Sequence, residues 1–162
     1  NTLKNFYNYS HYFDLFDQNI SSFSLMLRAA NSITNDNIKL SERINIPSRK
    51  LRGFEAGRVG PKDGEDFIGG NYAAAMNFSS TMPKLFEESQ NIDFLFFFDA
   101  ANLWGVDYDN SLDDNGTIRS STGVALDWFT PVGPLNFSLS LPITKKDSDK
   151  TETFRFQLGT TF

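Results

Sequence analysis

Cysteine is absent from all 162 residues, and histidine occurs once, at His11. The first absence excludes a disulfide framework and any cysteine-based zinc site. The second removes most histidine-based acid–base chemistry, and a lone histidine reads as an ordinary surface or lumen side chain. No run of eighteen apolar residues occurs, which excludes a transmembrane helix. Positive charge is short as well: 15 Lys and Arg stand against 20 Asp and Glu, for a net charge of −5 and a pI near 4.8. No basic face is left to neutralise a phosphate backbone, so nucleic acid is excluded as a partner. Asn1-Thr2-Leu3-Lys4-Asn5 carries no apolar leader segment, and for an envelope protein the expectation is that the N-terminal part was removed.

Phenylalanine, by contrast, is abundant at 17 residues, and it falls on alternate positions. Ile92, Phe94, Phe96, Phe98 and Ala100 share one parity, with Asp93 and Asp99 on the other. Ile118, Thr122, Val124, Leu126 and Trp128 alternate with Arg119, Ser121, Gly123, Ala125 and Asp127. Leu135, Phe137, Leu139 and Leu141 face away from Asn136, Ser138 and Ser140; Phe154, Phe156, Leu158 and Phe162 face away from Arg155, Gln157, Gly159 and Thr161. A period of two sustained this long is a strand signature, since helical spacing would not keep polar residues on one parity. Less tidy strands are expected at about 5–16, 20–33 and 69–80, which brings the count to about seven.

The connections alternate in length. Phe16 to Asn19 and Thr130 to Gly133 are short, whereas 34–68 is a long excursion and 105–116 and 142–151 are polar or charged. Long loops at one end and shorter turns at the other suit an outer-membrane barrel, whose exterior needs apolar residues only at alternate positions. Trp104, Tyr108 and Trp128 would suit an aromatic girdle. A soluble β-sandwich also alternates. The polar parity of Gly, Ser, Asp, Arg and Gln reads more readily as a water-filled lumen, and the pattern favours the barrel.

Other sites fail on spacing. The acidic segment Asp107 to Gly116, read from Asp109, has Asp114 and Ser120 where a calcium loop needs Gly and Glu, so a solvated loop tip is expected. Gly57, Gly60 and Gly64 lack the Lys-Ser/Thr pair of a phosphate loop. Asp93 and Asp99 share a face but lie roughly 20 Å apart along a strand, too far for one acid–base event. We expect no enzyme, no metal and no cofactor.

Leu51-Arg52-Gly53-Phe54 sits inside the long excursion. It is followed in order by Gly69-Gly70-Asn71, Phe98-Asp99, Trp104, Arg119, Ser121, Gly123, Trp128, Pro131-Val132-Gly133-Pro134-Leu135, Pro142 and a last strand ending on Phe162. This ordered set, over essentially residues 20–162, resembles the C-terminal region of the BamA family of outer-membrane protein assembly factors. The short motif is similar to the family's Val-Arg-Gly-Phe/Tyr loop motif.

The resemblance implies an all-β fold: a transmembrane antiparallel β-barrel of sixteen strands, of which residues 1–162 form the C-terminal surface-antigen portion, with the 34–68 loop folded back into the lumen. It implies that Arg52 meets Asp99 on the inner wall. A planar five-donor guanidinium suits that task, and in a wet lumen the pair would contribute about 1–2 kcal/mol at most. Family members often carry a glutamate where Ser79 or Ser80 stands here, which leaves the arginine's second acidic partner open. The last strand, 152–162, would form one side of a lateral seam at which incoming strands pair, with Gly159 as its weak point. Implied partners are the bacterial outer-membrane bilayer, nascent outer-membrane proteins, accessory lipoproteins, and the N-terminal strands and periplasmic POTRA domains. Kept beside this reading are a two-partner-secretion or TamA-like pore, and a small autonomous porin or adhesin barrel. Two open sheet edges, near 5–16 and 152–162, are expected.

Overall fold

The computed structural model describes residues 1–83 and 90–159. Its strands are β1 (Thr2–Phe13), β2 (Ser21–Ser32), β3 (Lys62–Asp63), β4 (Asp66–Phe67), β5 (Tyr72–Thr81), β6 (Ile92–Trp104), β7 (Arg119–Thr130), β8 (Gly133–Thr144) and β9 (Phe154–Leu158). Seven of them form one sheet in the order β1-β2-β5-β6-β7-β8-β9, and every neighbouring pair is antiparallel. The small hairpin β3–β4, which the sequence pattern did not suggest, lies within the long connection between β2 and β5.

Register turns the alternating sequence into two faces. Ile92, Trp128, Leu135 and Leu158 stand in one row across four strands. Phe94, Leu126, Phe137 and Phe156 form a second row; Phe96, Val124, Leu139 and Phe154 form a third. Many of these side chains are exposed, among them Phe96, Val124, Leu139, Phe154, Phe156 and Leu158. Neighbouring rings touch within the band, with Phe137 and Phe156 centroids 5.0 Å apart. No second sheet or helix covers this face among the described residues. An apolar exterior of this extent belongs to a strand wall in lipid, because water would leave it unburied.

The opposite face carries the core, and here the expectation of a uniformly wet lumen is corrected. The β2–β5 connection folds back over the sheet, and small wall residues Ala30, Ala73, Ala75 and Ala101 leave room for it. Ile38, Ile44, Ile46, Leu51, Phe54 and Val59 of the connection pack there with Met26 and Leu103 of the wall. A dry loop-on-wall core thus occupies part of the lumen side. Ser10, Ser22, Ser24, Asn136 and Ser138 line an open trough of about 1020 Å³ beside it.

Several expected boundaries shift. The first strand ends at Phe13 rather than 16, because the Asn19 side chain accepts the Leu15 amide and closes a turn. Gly69-Gly70-Asn71 precedes β5 instead of opening it, since Gly70 pairs with Ile44 of the loop. The last strand begins at Phe154, not 152, for a reason that belongs to the site. Phe162 lies outside the described residues. No ladder joins β1 to β9 among the described residues, so the sheet has two open edges.

Candidate functional site: a loop clasped to the inner wall

A 3-10 turn at Ser48–Lys50 hands the chain to Leu51 and Phe54, both buried against the wall. Between them Arg52 turns to Asp99 of β6. Its Nε donates to Oδ2 at 2.8 Å, its Nη2 to Oδ1 at 2.8 Å, and its backbone amide to Oδ2 at 3.0 Å. The same guanidinium lies over the Phe97 ring, 3.7 Å from the centroid, where ring and cation attract.

Asp99 is fully buried and the Arg52 side chain is 18 % exposed, so the pair is drier than the sequence reading allowed. Its surroundings complete it. Asn77 is in direct register with Asp99 across the β5–β6 ladder, and Asp99 with Ser121 across β6–β7. Asn77 donates to Asp99 Oδ1 and to the Lys50 carbonyl, both at 2.8 Å, while Ser121 donates to the Arg52 carbonyl. One polar row across three strands therefore holds residues 50–52. The sequence reading sought a second carboxylate and missed Asn77, whose inward parity two residues from Ser79 was the available signal. Ser79 itself bonds Ser22 at 2.7 Å, and Ser80 lies with Ser21 at 2.9 Å. Gly53 adopts φ +88°, with the wall against its α-carbon.

Residues 150–152, in the connection between β8 and β9, pair with this loop. The Glu55 backbone amide donates to the Lys150 carbonyl at 2.9 Å and the Glu152 backbone amide to the Gly53 carbonyl at 3.0 Å, forming a bridge between Phe54 and Thr151. That detour delays the start of β9 to Phe154. Phe154, Phe156 and Leu158 project outward, and Arg155 projects inward onto loop carbonyls. Gly159 has φ +128° with open space around its α-carbon, a backbone conformation suited to a kink.

The acidic segment is exposed at 107–111, 115 and 116, as a solvated tip would be, but two of its carboxylates are engaged. Asp107 pairs with Arg43 and accepts the Ile38 amide at 2.6 Å. Asp114 pairs with buried Arg119 and, at 3.0 Å, with Lys146. Arg119 also binds Asp149 at 2.8 Å, whose other oxygen accepts the Gly60 amide at 3.3 Å. These clamps tie three long connections together. Tyr108 is drawn into the same work: its hydroxyl donates to Asp63 at 2.8 Å and its ring faces Arg43, so it does not join a girdle. Trp104 stacks near Tyr72 at 6.0 Å, and Trp128 stands in the outward row at the opposite end of the wall. His11 lies on the β1 face beside Phe13, 5.8 Å between ring centroids.

An antiparallel wall with a lipid-type exterior and a motif loop clasped to its inner face defines a portion of an outer-membrane-type barrel. The Omp85 superfamily domain matches residues 1–162, and the chain belongs to that superfamily. It is 32% identical over 139 residues to the outer membrane protein assembly factor BamA of Neisseria meningitidis serogroup B, covering 69% of this chain and 17% of that protein. A SAM50-like protein of Schizosaccharomyces pombe is 33% identical over 138 residues, 78% of this chain and 28% of its own length. The crystal structure of BamA from Haemophilus ducreyi lacking POTRA domains 1–3 superposes with a TM-score of 0.84 at 28% identity, covering 96% of this chain and 34% of that one. The chain thus spans about a third or less of the relatives it matches.

Proposed function

We propose that this chain forms part of the wall and one side of the seam of a machine that inserts β-barrel proteins into the bacterial outer membrane. The observation that carries the reading is the clasped Arg52 loop beside β9, whose outer edge has no partner among the described residues. An unpaired edge in lipid leaves N–H and C=O groups that water cannot reach, so an arriving strand that pairs with them gains what the bilayer withholds. The chemistry is exchange of hydrogen-bonded strands, not the making or breaking of covalent bonds, and needs no cofactor. The remaining strands, periplasmic POTRA domains and accessory lipoproteins would complete the machine, and nascent outer-membrane proteins would be its cargo.

Disulfide trapping tests this directly. The full-length protein would carry Phe156→Cys, in a stretch free of native cysteine. A nascent outer-membrane protein would carry single cysteines along its last strand. A mixed disulfide that forms at defined register during assembly is expected. A variant that still supports growth yet traps no cargo anywhere along β9 would overturn the seam reading.

A further inference from the structure

We propose that Arg155 is a latch through which the lumen loop controls the position of the last strand. The side chain rises from the inner face of β9 and is only 10 % exposed. Its Nη1 donates to the Ser48 carbonyl at 2.8 Å and its Nη2 to the Phe54 carbonyl at 2.5 Å. Those two carbonyls bracket the motif: Ser48 opens the turn that leads into Leu51, and Phe54 closes the segment that Arg52 fastens to Asp99. Glu152 holds the third donor, Nε, at 2.9 Å and so orients the fork toward the loop.

Few other bonds fix the strand among the described residues. Among the described residues its ladder to β8 covers Phe154–Leu158 against Leu135–Leu139, with the Ser140 amide donating to the Thr153 carbonyl at 2.8 Å and the Gly159 amide to the Pro134 carbonyl at 3.2 Å. Gly159 at its end has no side chain, adopts φ +128° and has nothing within 4 Å of where a β-carbon would stand. β9 is therefore tied to the loop by Arg155, with Gln157 Nε2 adding a long 3.5 Å bond to Ser48 Oγ, and to β8 by its ladder. A charge-assisted donor shared between two carbonyls is stronger than a neutral bond, and a lysine cannot reach both positions with one planar fork. If the loop gives, the latch loses its acceptors and the strand loses its inner anchor. Coupling of this kind runs both ways, so disturbing Arg52 must loosen β9 as surely as removing Arg155 does.

The latch rests on reading β9 as a seam strand, but its test does not require assembly activity. Spin labels would be placed at Leu158→Cys on β9 and Leu27→Cys on β2, both exposed on the outward face, in full-length protein reconstituted in phosphatidylcholine vesicles without cargo. The unmodified latch should give a single narrow distance. Arg155→Gln, which keeps a polar stem without the fork, should broaden it. Arg52→Lys, acting only through the loop, should broaden it too, whereas Glu152→Gln, which leaves both carbonyls engaged, should not. Resistance to denaturation in unheated gels verifies that each variant is folded, and Arg155→Lys serves in place of the Gln variant if that one fails to fold. An unchanged distribution for the Arg155 variant overturns the latch. A broad distribution for Arg155→Gln with a narrow one for Arg52→Lys overturns the coupling, since Arg155 would then hold the strand independently of the motif.

Discussion

A β-carbon at position 53 would lie 3.0 Å from that of Ser140, so the loop backbone rests on β8 only because Gly53 has none. The same residue sits at φ +88°, which adds conformational strain to any replacement. Gly53→Ala should therefore destabilise the folded barrel by about 1–2 kcal/mol from backbone conformation alone, before Ser140 and Ser121 are displaced. Urea unfolding of the full-length protein in detergent reads this as a lowered midpoint. An unchanged midpoint would mean that the loop does not lie on this wall.

Breaking the Arg52–Asp99 pair should cost more than a surface ion pair would. Removing either partner strands the other in a dry site, and such losses run at about 3–5 kcal/mol. Arg52→Ala and Asp99→Asn should each show it, while the double variant should lose less than the sum because no charge is left unpaired. Arg52→Lys keeps the charge but neither the fork nor the stack on Phe97, so it should fall nearer to alanine than to the parent. Strictly additive losses in the double-mutant cycle would refute a direct pair.

The two faces of the wall predict opposite tolerance to charge. Arginine at Phe96, in the outward band, should cost roughly 2–4 kcal/mol if it lies near the bilayer midplane. At Asn136, which lines the open trough, the same substitution meets water and should cost far less. Equilibrium unfolding from phospholipid vesicles compares them. Equal penalties would reverse the assignment of the faces.

How much of this was legible beforehand follows from which interactions are local. Alternation in β6 to β9 is set by residues two apart, so the strands, their outward parity and the inward aim of Asp99 could be read directly. The motif around Arg52 identified the loop. The rest depends on what comes together across the fold. Asn77 meets Asp99 only through register, and Phe97 meets the guanidinium only because the loop returns over β6. The wet lumen was inferred from polar parity alone, yet the loop's own Ile38, Ile44, Ile46 and Val59 turn part of that face dry. The late start of β9 could not be seen either, because the Lys150 carbonyl and the Glu152 amide pair with loop backbone rather than with β8.

The carboxylates of the 105–118 connection set the pH range over which the three long connections stay clamped. Burial pushes Asp107 upward, but the Ile38 amide, Asn71 and Arg43 outweigh it and hold the group below its ordinary value. Asp114 behaves alike: burial raises it, and the bonds from Arg119 and Lys146 bring it lower than an unperturbed carboxylate. A group depressed in the folded state stabilises it fully above the unfolded pKa, near 3.9 for aspartate, and loses that contribution as pH falls through the lower folded value. The clamp should therefore be unchanged between pH 7 and 5 and should open only below the usual carboxylate range. Peptide-level hydrogen exchange across 105–118, corrected for the intrinsic pH dependence of exchange, provides the measurement. Asp114→Asn should raise exchange around position 114 at every pH, because Arg119 and Lys146 keep their charges but lose a shared partner, while Asp107 still holds Arg43. Release of the segment already at pH 6 in the unmodified protein would show that these carboxylates are not held low, and the clamp would have to rest on Arg119–Asp149 alone.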